Sequence, residues 1–357
     1  MNNKKKIMVV FGGASSEHEV SRMSAFSILT NLNKERYDIV TVGITKEGHW
    51  LLTDASFEDI KSGEWENNPN NKTVTLNVDM GKSQLIFLDG DDYHTENIDC
   101  LWPVLHGKNG EDGTIQGLCE LAGIKFVGPD TCSSALCMDK AYTKIVVNSR
   151  GINQAKYLAM ITSDFHGDEQ NCLDRIDEYF GKYPLFVKPA RAGSSVGITK
   201  VNEKSELLDA IEIAFREDTK IVVEEGIYGR EVEISVLGNE HPKASCVGEI
   251  IPEASWYDYE AKYNSSVSRT IIPANLKASV VKEIQETAIE IYKLLGCMGL
   301  SRVDFFLCED GRICLNEINT LPGFTSISMF PKLFGHVGIP YTELLDKLIE
   351  YAEERTK

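Results

Sequence analysis

Ile7-Met8-Val9-Val10-Phe11-Gly12-Gly13-Ala14-Ser15-Ser16-Glu17-His18, residues 7–18, reads as a strand, a glycine turn and the start of a helix. A continuous apolar run is what a strand covered on both faces requires; a half-solvated strand would alternate. Gly12-Gly13 breaks the run, Ser15 or Ser16 stands where a helix cap is expected, and Glu19 falls early in the helix that follows. That helix carries Val20, Met23, Ile28 and Leu32, and Tyr37 to Ile44 reads as a second strand. A β-α-β unit therefore opens the chain and places it in the α/β class.

Outward from this unit, residues 54–73 are polar and rich in Asn and Gly, which reads as a surface excursion. Asp99 to Leu105 is another buried strand, ending at His106-Gly107-Lys108-Asn109-Gly110-Glu111-Asp112-Gly113, and Thr114 to Ala122 follows as a helix. A first boundary is expected near Gly128. A second unit, to about Val223, holds a helix through Lys140 and Val147 and a strand at Pro184 to Pro189. The small-residue loop Arg191 to Gly197, a helix over 203–215 and a strand at Lys220 to Glu225 complete it. A third unit, 224–357, alternates strands at 231–237, 245–251, 301–308 and 311–318 with helices at Ser279 to Leu295 and Tyr341 to Ala352.

The length of 357 residues exceeds what one core usually holds, in keeping with this division. The formal net charge of −17 argues against nucleic acid or an anionic membrane as a partner. The apolar run at residues 7–11 is too short for a signal-peptide core, and no later stretch approaches the ~20 apolar residues of a membrane span. Nine cysteines form no CxxC pair and no zinc spacing, and Cys308 and Cys314 sit inside apolar elements. A reducing, cytoplasmic setting is the expectation.

Chemistry concentrates in four places. In Ser301-Arg302-Val303-Asp304-Phe305 and Leu315-Asn316-Glu317-Ile318-Asn319, joined by a turn at Glu309-Asp310-Gly311, the strand period of two puts Arg302 and Asp304 on one face. Glu317 and Asn319 share a face of the partner strand. Oxygen donors without His or Cys suit Mg²⁺, although a surface hairpin with a wet, charged face has the same alternation. In the Arg191–Gly197 loop, Gly193-Ser194-Ser195 allow close backbone approach to an anion, with Lys188 and Lys140 nearby as cationic donors. An ordinary surface loop has the same composition.

Glu17, after the first glycine turn, lies where α/β sheets bind ligands and is suited to hold a substrate ammonium; the plainer alternative is a helix-start acid. His106 repeats the position after a later strand. Trp256-Tyr257-Asp258-Tyr259-Glu260-Ala261-Lys262-Tyr263 is too polar for core and too aromatic for a passive loop, which suits a lid or a partner patch.

These motifs in this order, from Gly12-Gly13, Glu17 and Val20-Ser21 through His106-Gly107, Gly110-Glu111-Asp112-Gly113, Met138-Asp139-Lys140 and Lys188-Pro189, resemble the D-alanine–D-alanine ligase family. Gly193 to Gly197, Tyr257 to Tyr263, Arg302-Val303-Asp304 and Glu317-Ile318-Asn319 continue the match, which runs from residue 7 to about 350. The resemblance implies an N-terminal Rossmann-like (pre-ATP-grasp) domain over 1–128, then an ATP-grasp fold of two subdomains over 129–223 and 224–357. It implies ATP bound by Lys140, Lys188, Ser194, Ser195, Glu224, Glu231 and Lys262, and two Mg²⁺ (or Mn²⁺) held by Asp304, Glu317 and Asn319. Glu17 would fix the ammonium of the first D-alanine, with His106 near it, and Ser194 and Tyr263 would link to Glu17. Arg302 and the Gly323 N–H would stabilise the oxyanion, and Ser328 would take the second substrate's carboxylate.

Met329, following Ser328, offers no donor to a serine hydroxyl and favours D-alanine as the second substrate. The vancomycin-resistance ligases that use D-serine typically carry arginine there, yet His106 to Gly110 and Ser133 to Met138 look similar to that branch. A homodimer is the implied assembly. Another ATP-grasp carboxylate ligase, or an ATP-binding module without catalysis, are the competing readings.

Overall fold

The computed structural model describes residues 4–79, 81–90, 92–252 and 268–355. Its first sheet holds β1 (Lys5–Gly12), β2 (Tyr37–Ile44), β3 (Trp50–Thr53), β4 (Lys72–Leu76), β5 (Gln84–Asp89), β6 (Asp92–Asn97) and β7 (Cys100–Val104) in the order β6-β5-β4-β3-β2-β1-β7. β1 pairs in parallel with β2 and β7, and the connection between β1 and β2 is α1 (His18–Asn31), as a βαβ crossover requires. β1 lies between β2 and β7 and is buried on both faces. Ile7, Val9 and Phe11 pack with Ala25, Ile28 and Leu29 of α1, while Met8 and Val10 pack with Ile115, Cys119 and Ala122 on the other face.

The polar stretch 54–73 is not the surface excursion its composition suggests. It contains α2 (Phe57–Ser62), a single 3₁₀ turn and the start of β4, and it buries Ile60 and Trp65 completely. Trp65 stands edge-on to Phe11, ring centroids 5.0 Å apart, and its ring lies over Gly43 of β2, where an added Cβ would come within 2.2 Å of it. The surrounding Asn and Glu residues mask one large apolar anchor. Gly43→Ala is expected to destabilise the protein by about 1–3 kcal/mol through overpacking, read as a lower urea midpoint. Combining it with Trp65→Leu should recover part of that loss.

α3 (Thr114–Ala122) has the bounds expected from the sequence, and α4 (Thr131–Met138) and α5 (Lys140–Asn148) lead into the second sheet. That sheet is antiparallel: β8 (Tyr157–Ile161), β9 (Leu185–Pro189), β10 (Thr199–Val201) and β11 (Lys220–Glu225), in the order β10-β9-β11-β8. One face carries α6 (Thr162–Gly167), α7 (Glu169–Phe180) and α8 (Leu207–Glu217) over a core of Phe165, Ile176, Leu185, Val187, Ile211 and Val223. On the other, Val222 and Ala190 meet Ala141 of α5.

The third sheet, also antiparallel, runs β14-β13-β12-β15-β16, with β12 (Gly229–Leu237), β13 (Lys243–Pro252), β14 (Ser268–Ile271), β15 (Leu300–Cys308) and β16 (Ile313–Asn319). Period two divides it. Val232, Ile234, Val236, Val303, Phe305 and Ile318 face a core with Ile284, Ala288 and Ile291 of α9 (Ala278–Leu294), which leaves Glu233, Ser235, Arg302, Asp304, Glu317 and Asn319 on the opposite face. α10 (Met329–His336) lies against β13 and β12, and α11 (Tyr341–Glu353) returns to the first sheet, where Leu344, Leu345, Leu348 and Ile349 join the cluster containing Ile7 and Val9.

Candidate active site

The turn after β1 is built by Gly12 and Gly13, at φ 87° and 100°, and only glycine fits at the first: a Cβ on Gly12 would lie 2.2 Å from the Ile44 carbonyl oxygen. Neither Ser15 nor Ser16 caps α1. The residue before the helix is Glu17, which makes no side-chain cap, and its own N–H donates to Ser15 Oγ at 3.2 Å. Glu17 is therefore not spent on its helix. It is buried, and its Oε1 accepts from Ser194 Oγ, a residue 177 positions away. Gly107 and Gly193 leave room for its Oε2, since a Cβ on either would come within 2.7 and 3.2 Å of that oxygen.

Ser194 and Ser195 adopt the left-handed region, φ 51° and 62°, a conformation that costs non-glycine residues on the order of 1–3 kcal/mol each. The base of the loop is clamped. Arg191 donates to Asp218 from its backbone N–H, Nε and Nη2 at 2.9, 3.1 and 2.6 Å, and Lys140 Nζ donates to the Ala192 carbonyl at 2.7 Å. Asp139 caps α5 through Ala141 N–H and Tyr142 N–H and takes Lys220 Nζ at 2.6 Å. Lys188, on β9, donates to Glu224 Oε2 at 2.7 Å.

Across the third sheet Glu233, Asp304 and Glu317 stand in register on β12, β15 and β16. Arg302 grips Asp304 through Nε and Nη2, both at 2.8 Å, and lies 3.0 Å from Glu233 Oε2; Asn319 Nδ2 donates to Asp304 Oδ2 at 3.0 Å. Burial disfavours the Arg302 charge, but Asp304 and Glu233 outweigh it and hold the guanidinium firmly protonated. Asp304, Glu317 and the Asn319 amide form an oxygen-only donor set, which fits a hard divalent ion. Among the described residues no three carboxylate, His or Cys side chains gather as a metal site.

The loop 320–328 closes the floor. His106 Nδ1 faces the Leu321 carbonyl at 3.1 Å and so carries the ring proton; Nε2 then accepts from Ser24 Oγ at 3.2 Å, and Ser24 Oγ accepts from Phe324 N–H at 3.3 Å. Tyr341 hydroxyl adds a bond to the Phe324 carbonyl at 2.7 Å. Gly323 is thus pinned on both sides, and both ring nitrogens of His106 are engaged in holding this loop. Burial lowers the His106 pKa, the Glu17 charge opposing it, in keeping with a neutral ring. Beside it Glu111 accepts from Gly107 N–H at 2.8 Å, and burial, with the Glu17 charge, pushes its carboxyl up to about 8. Ser328 Oγ accepts from Thr325 N–H at 2.9 Å, and Met329 turns its thioether methyl onto Gly248 of β13, within 2.3 Å of where a Cβ would be.

Glu17, His106, Ser194, Gly323 and Ser328 thus belong to connected segments, and Arg302, Asp304, Glu317 and Asn319 to one sheet face. Lys140, Lys188 and Glu224 lie about the second sheet, and Glu231 is on β12, two residues before Glu233. Lys262 and Tyr263, with the rest of the aromatic stretch, lie outside the described residues. Sequence pattern alone gives Glu233, Lys144, Ser24 and Glu111 no role. Glu233 was within reach of the period-two argument used for Arg302, and Lys144 stands four residues beyond Lys140 on α5.

Two family models match the chain, D-ala D-ala ligase N-terminus over residues 6–129 and D-ala D-ala ligase C-terminus over residues 146–350. The D-alanine–D-alanine ligase of Acetivibrio thermocellus is 48% identical, the match covering 99% of this chain and 97% of that protein. D-alanine–D-alanine ligase B of Clostridium tetani is also 48% identical, covering 98% and 94%. Among solved structures, the VanG D-Ala:D-Ser ligase of Enterococcus faecalis superposes with a TM-score of 0.90 at 43% identity, covering 98% of this chain and 100% of that one. The D-alanine–D-alanine ligase of Coxiella burnetii gives 0.85 at 36%, covering 99% and 96%.

Proposed function

The chain belongs to the D-alanine–D-alanine ligase family, ATP-dependent enzymes of ATP-grasp fold, and from that premise we propose that it joins two D-alanines into D-alanyl-D-alanine for peptidoglycan precursors. The observation that carries the reading is the Ser194–Glu17 hydrogen bond. It brings a buried carboxylate suited to an ammonium against a loop suited to phosphates, so an amino acid and a nucleotide can meet there.

In this reading the loop 193–197, Lys140 and Lys188 receive the ATP phosphates, with Glu224, Glu231 and Lys262 around the nucleotide. Glu17 holds the first D-alanine's ammonium, and His106 supports the floor beneath it. A carboxylate oxygen of that D-alanine attacks the γ-phosphorus, the bond to ADP breaks, and an acyl phosphate forms. Asp304, Glu317 and Asn319 would hold two Mg²⁺, which supply charge neutralisation for phosphoryl transfer when bound. The amine of the second D-alanine, having lost a proton, attacks the acyl carbon; Arg302 and the Gly323 N–H meet the oxyanion until inorganic phosphate leaves. Ser328 binds the second carboxylate, and Tyr263 supports the Ser194–Glu17 pair. Domain boundaries at 128/129 and 223/224, a homodimer and a cytoplasmic setting complete the proposal; the nine free thiols suit a reducing compartment.

Pure protein with Mg²⁺ and ATP is expected to release phosphate only when D-alanine is supplied. Competition among D-alanine, D-serine and D-lactate as second substrate should favour D-alanine, because Met329 presents no hydrogen-bond donor. Equal or better use of D-serine would assign the chain to the D-Ala–D-Ser branch, and no D-alanine-dependent turnover would remove the ligase reading altogether.

A further inference from the structure

We propose that Lys144 is a positioning residue of the nucleotide site, holding the Glu224 carboxylate so that Lys188 keeps its positive charge available to phosphate. The proposal rests on reading the second sheet as that site. α5 sets Lys140 and Lys144 one turn apart; Lys140 Nζ reaches the Ala192 carbonyl in the loop after β9, and Lys144 reaches Glu224 on β11. Lys144 Nζ lies 3.0 Å from Glu224 Oε1, and Lys188 Nζ lies 2.7 Å from Glu224 Oε2. The side chains are 5%, 7% and 14% exposed in the order Lys144, Glu224, Lys188, so the row runs from the interior outward and its outermost member is the lysine suited to phosphate. Tyr157, the cross-strand partner of Glu224, presents its ring 5.3 Å from Lys144 Nζ.

One carboxylate between two ammonium groups leaves a net positive charge. Burial would raise the Glu224 pKa, yet the two lysine charges reverse this and lower it to about 2, so the carboxylate stays ionised. Without Lys144, Glu224 and Lys188 would form a neutral one-to-one pair, and the field offered to a polyanion would fall. Stability alone is a poor reason for a second buried lysine here, since well-packed apolar side chains usually replace buried ion pairs without loss.

The test uses the full chain with Lys144→Met, Lys144→Gln and Lys144→Arg, and MgADP as the calorimetric probe. Lys144→Met is expected to weaken MgADP binding by roughly ten-fold or more, the size of one charge-assisted contact. The KM for ATP should rise in parallel, while the KM for D-alanine at saturating ATP stays within about two-fold. Lys144→Arg should restore most of the affinity, because it keeps the charge. Lys144→Gln can still donate to Glu224 but carries no charge, so it should lose binding like the methionine variant and serves if that variant does not fold. Parental MgADP affinity in a folded Lys144→Met or Lys144→Gln protein overturns the proposal. Failure of the unsubstituted protein to bind MgADP would instead overturn the nucleotide site itself.

Discussion

Replacing Arg302 by methionine is expected to lower kcat by roughly 10²–10³-fold, the usual loss when one donor to a developing oxyanion is removed. KM for either substrate should change far less, because the interaction is made mainly in the transition state. The same substitution carries a structural cost. Arg302 lies between Asp304 and Glu233, both buried, and removing the cation leaves two carboxylates facing each other across adjacent strands. Breaking such a pair typically costs about 3–5 kcal/mol, so the melting temperature should fall with the activity. Arg302→Lys separates the two effects. It retains a charge but not the fork that spans Asp304 Oδ1 and Oδ2, and it should recover stability more fully than kcat. A folded Arg302→Met enzyme with near-parental kcat would remove Arg302 from the oxyanion site.

The second large effect is expected for Glu17→Gln. Glutamine keeps an acceptor for the Ser194 hydroxyl but has no charge for an ammonium, so the KM of the first D-alanine should rise by roughly 10²-fold, within the range for breaking a buried charge pair. Nucleotide affinity, measured directly, should stay near parental. Glu111 supplies an independent readout. Burial and the Glu17 charge together push its carboxyl up to about 8, and the substitution removes the second cause. A group titrating there should therefore move toward lower pH in the activity profile of the variant. A D-alanine KM unaffected by the change would contradict the assignment of Glu17.

Most elements were legible where one physical signal dominated. The apolar run of β1, the helix Thr114–Ala122 and the strand Lys220–Glu225 follow directly from periodicity and turn residues. The same period of two placed Arg302 with Asp304, and Glu317 with Asn319, on faces the structure sets side by side. Composition misled at 54–73, because a segment can be polar at most positions and still be anchored by Trp65. The hairpin of β5 and β6 was missed too, its second strand being largely exposed and polar. The site was legible one segment at a time. That Ser194 reaches Glu17, or that Lys144 is buried against Glu224, depends on contacts 177 and 80 residues apart in sequence, which local pattern does not encode.

The return of α11 to the first sheet has a consequence for biosynthesis. Leu344, Leu345, Leu348 and Ile349 complete the same cluster as Ile7, Val9 and Phe11, so that side of the first sheet, on which α1 packs, stays incompletely covered until some 220 residues beyond Gly128 have been made. At about 5–20 residues per second that interval is roughly 10–45 s. During it the nascent chain exposes part of an apolar face and is a natural client for holding chaperones. A stop codon just before Tyr341 should therefore send even a chain with every candidate catalytic residue intact to aggregation or proteolysis.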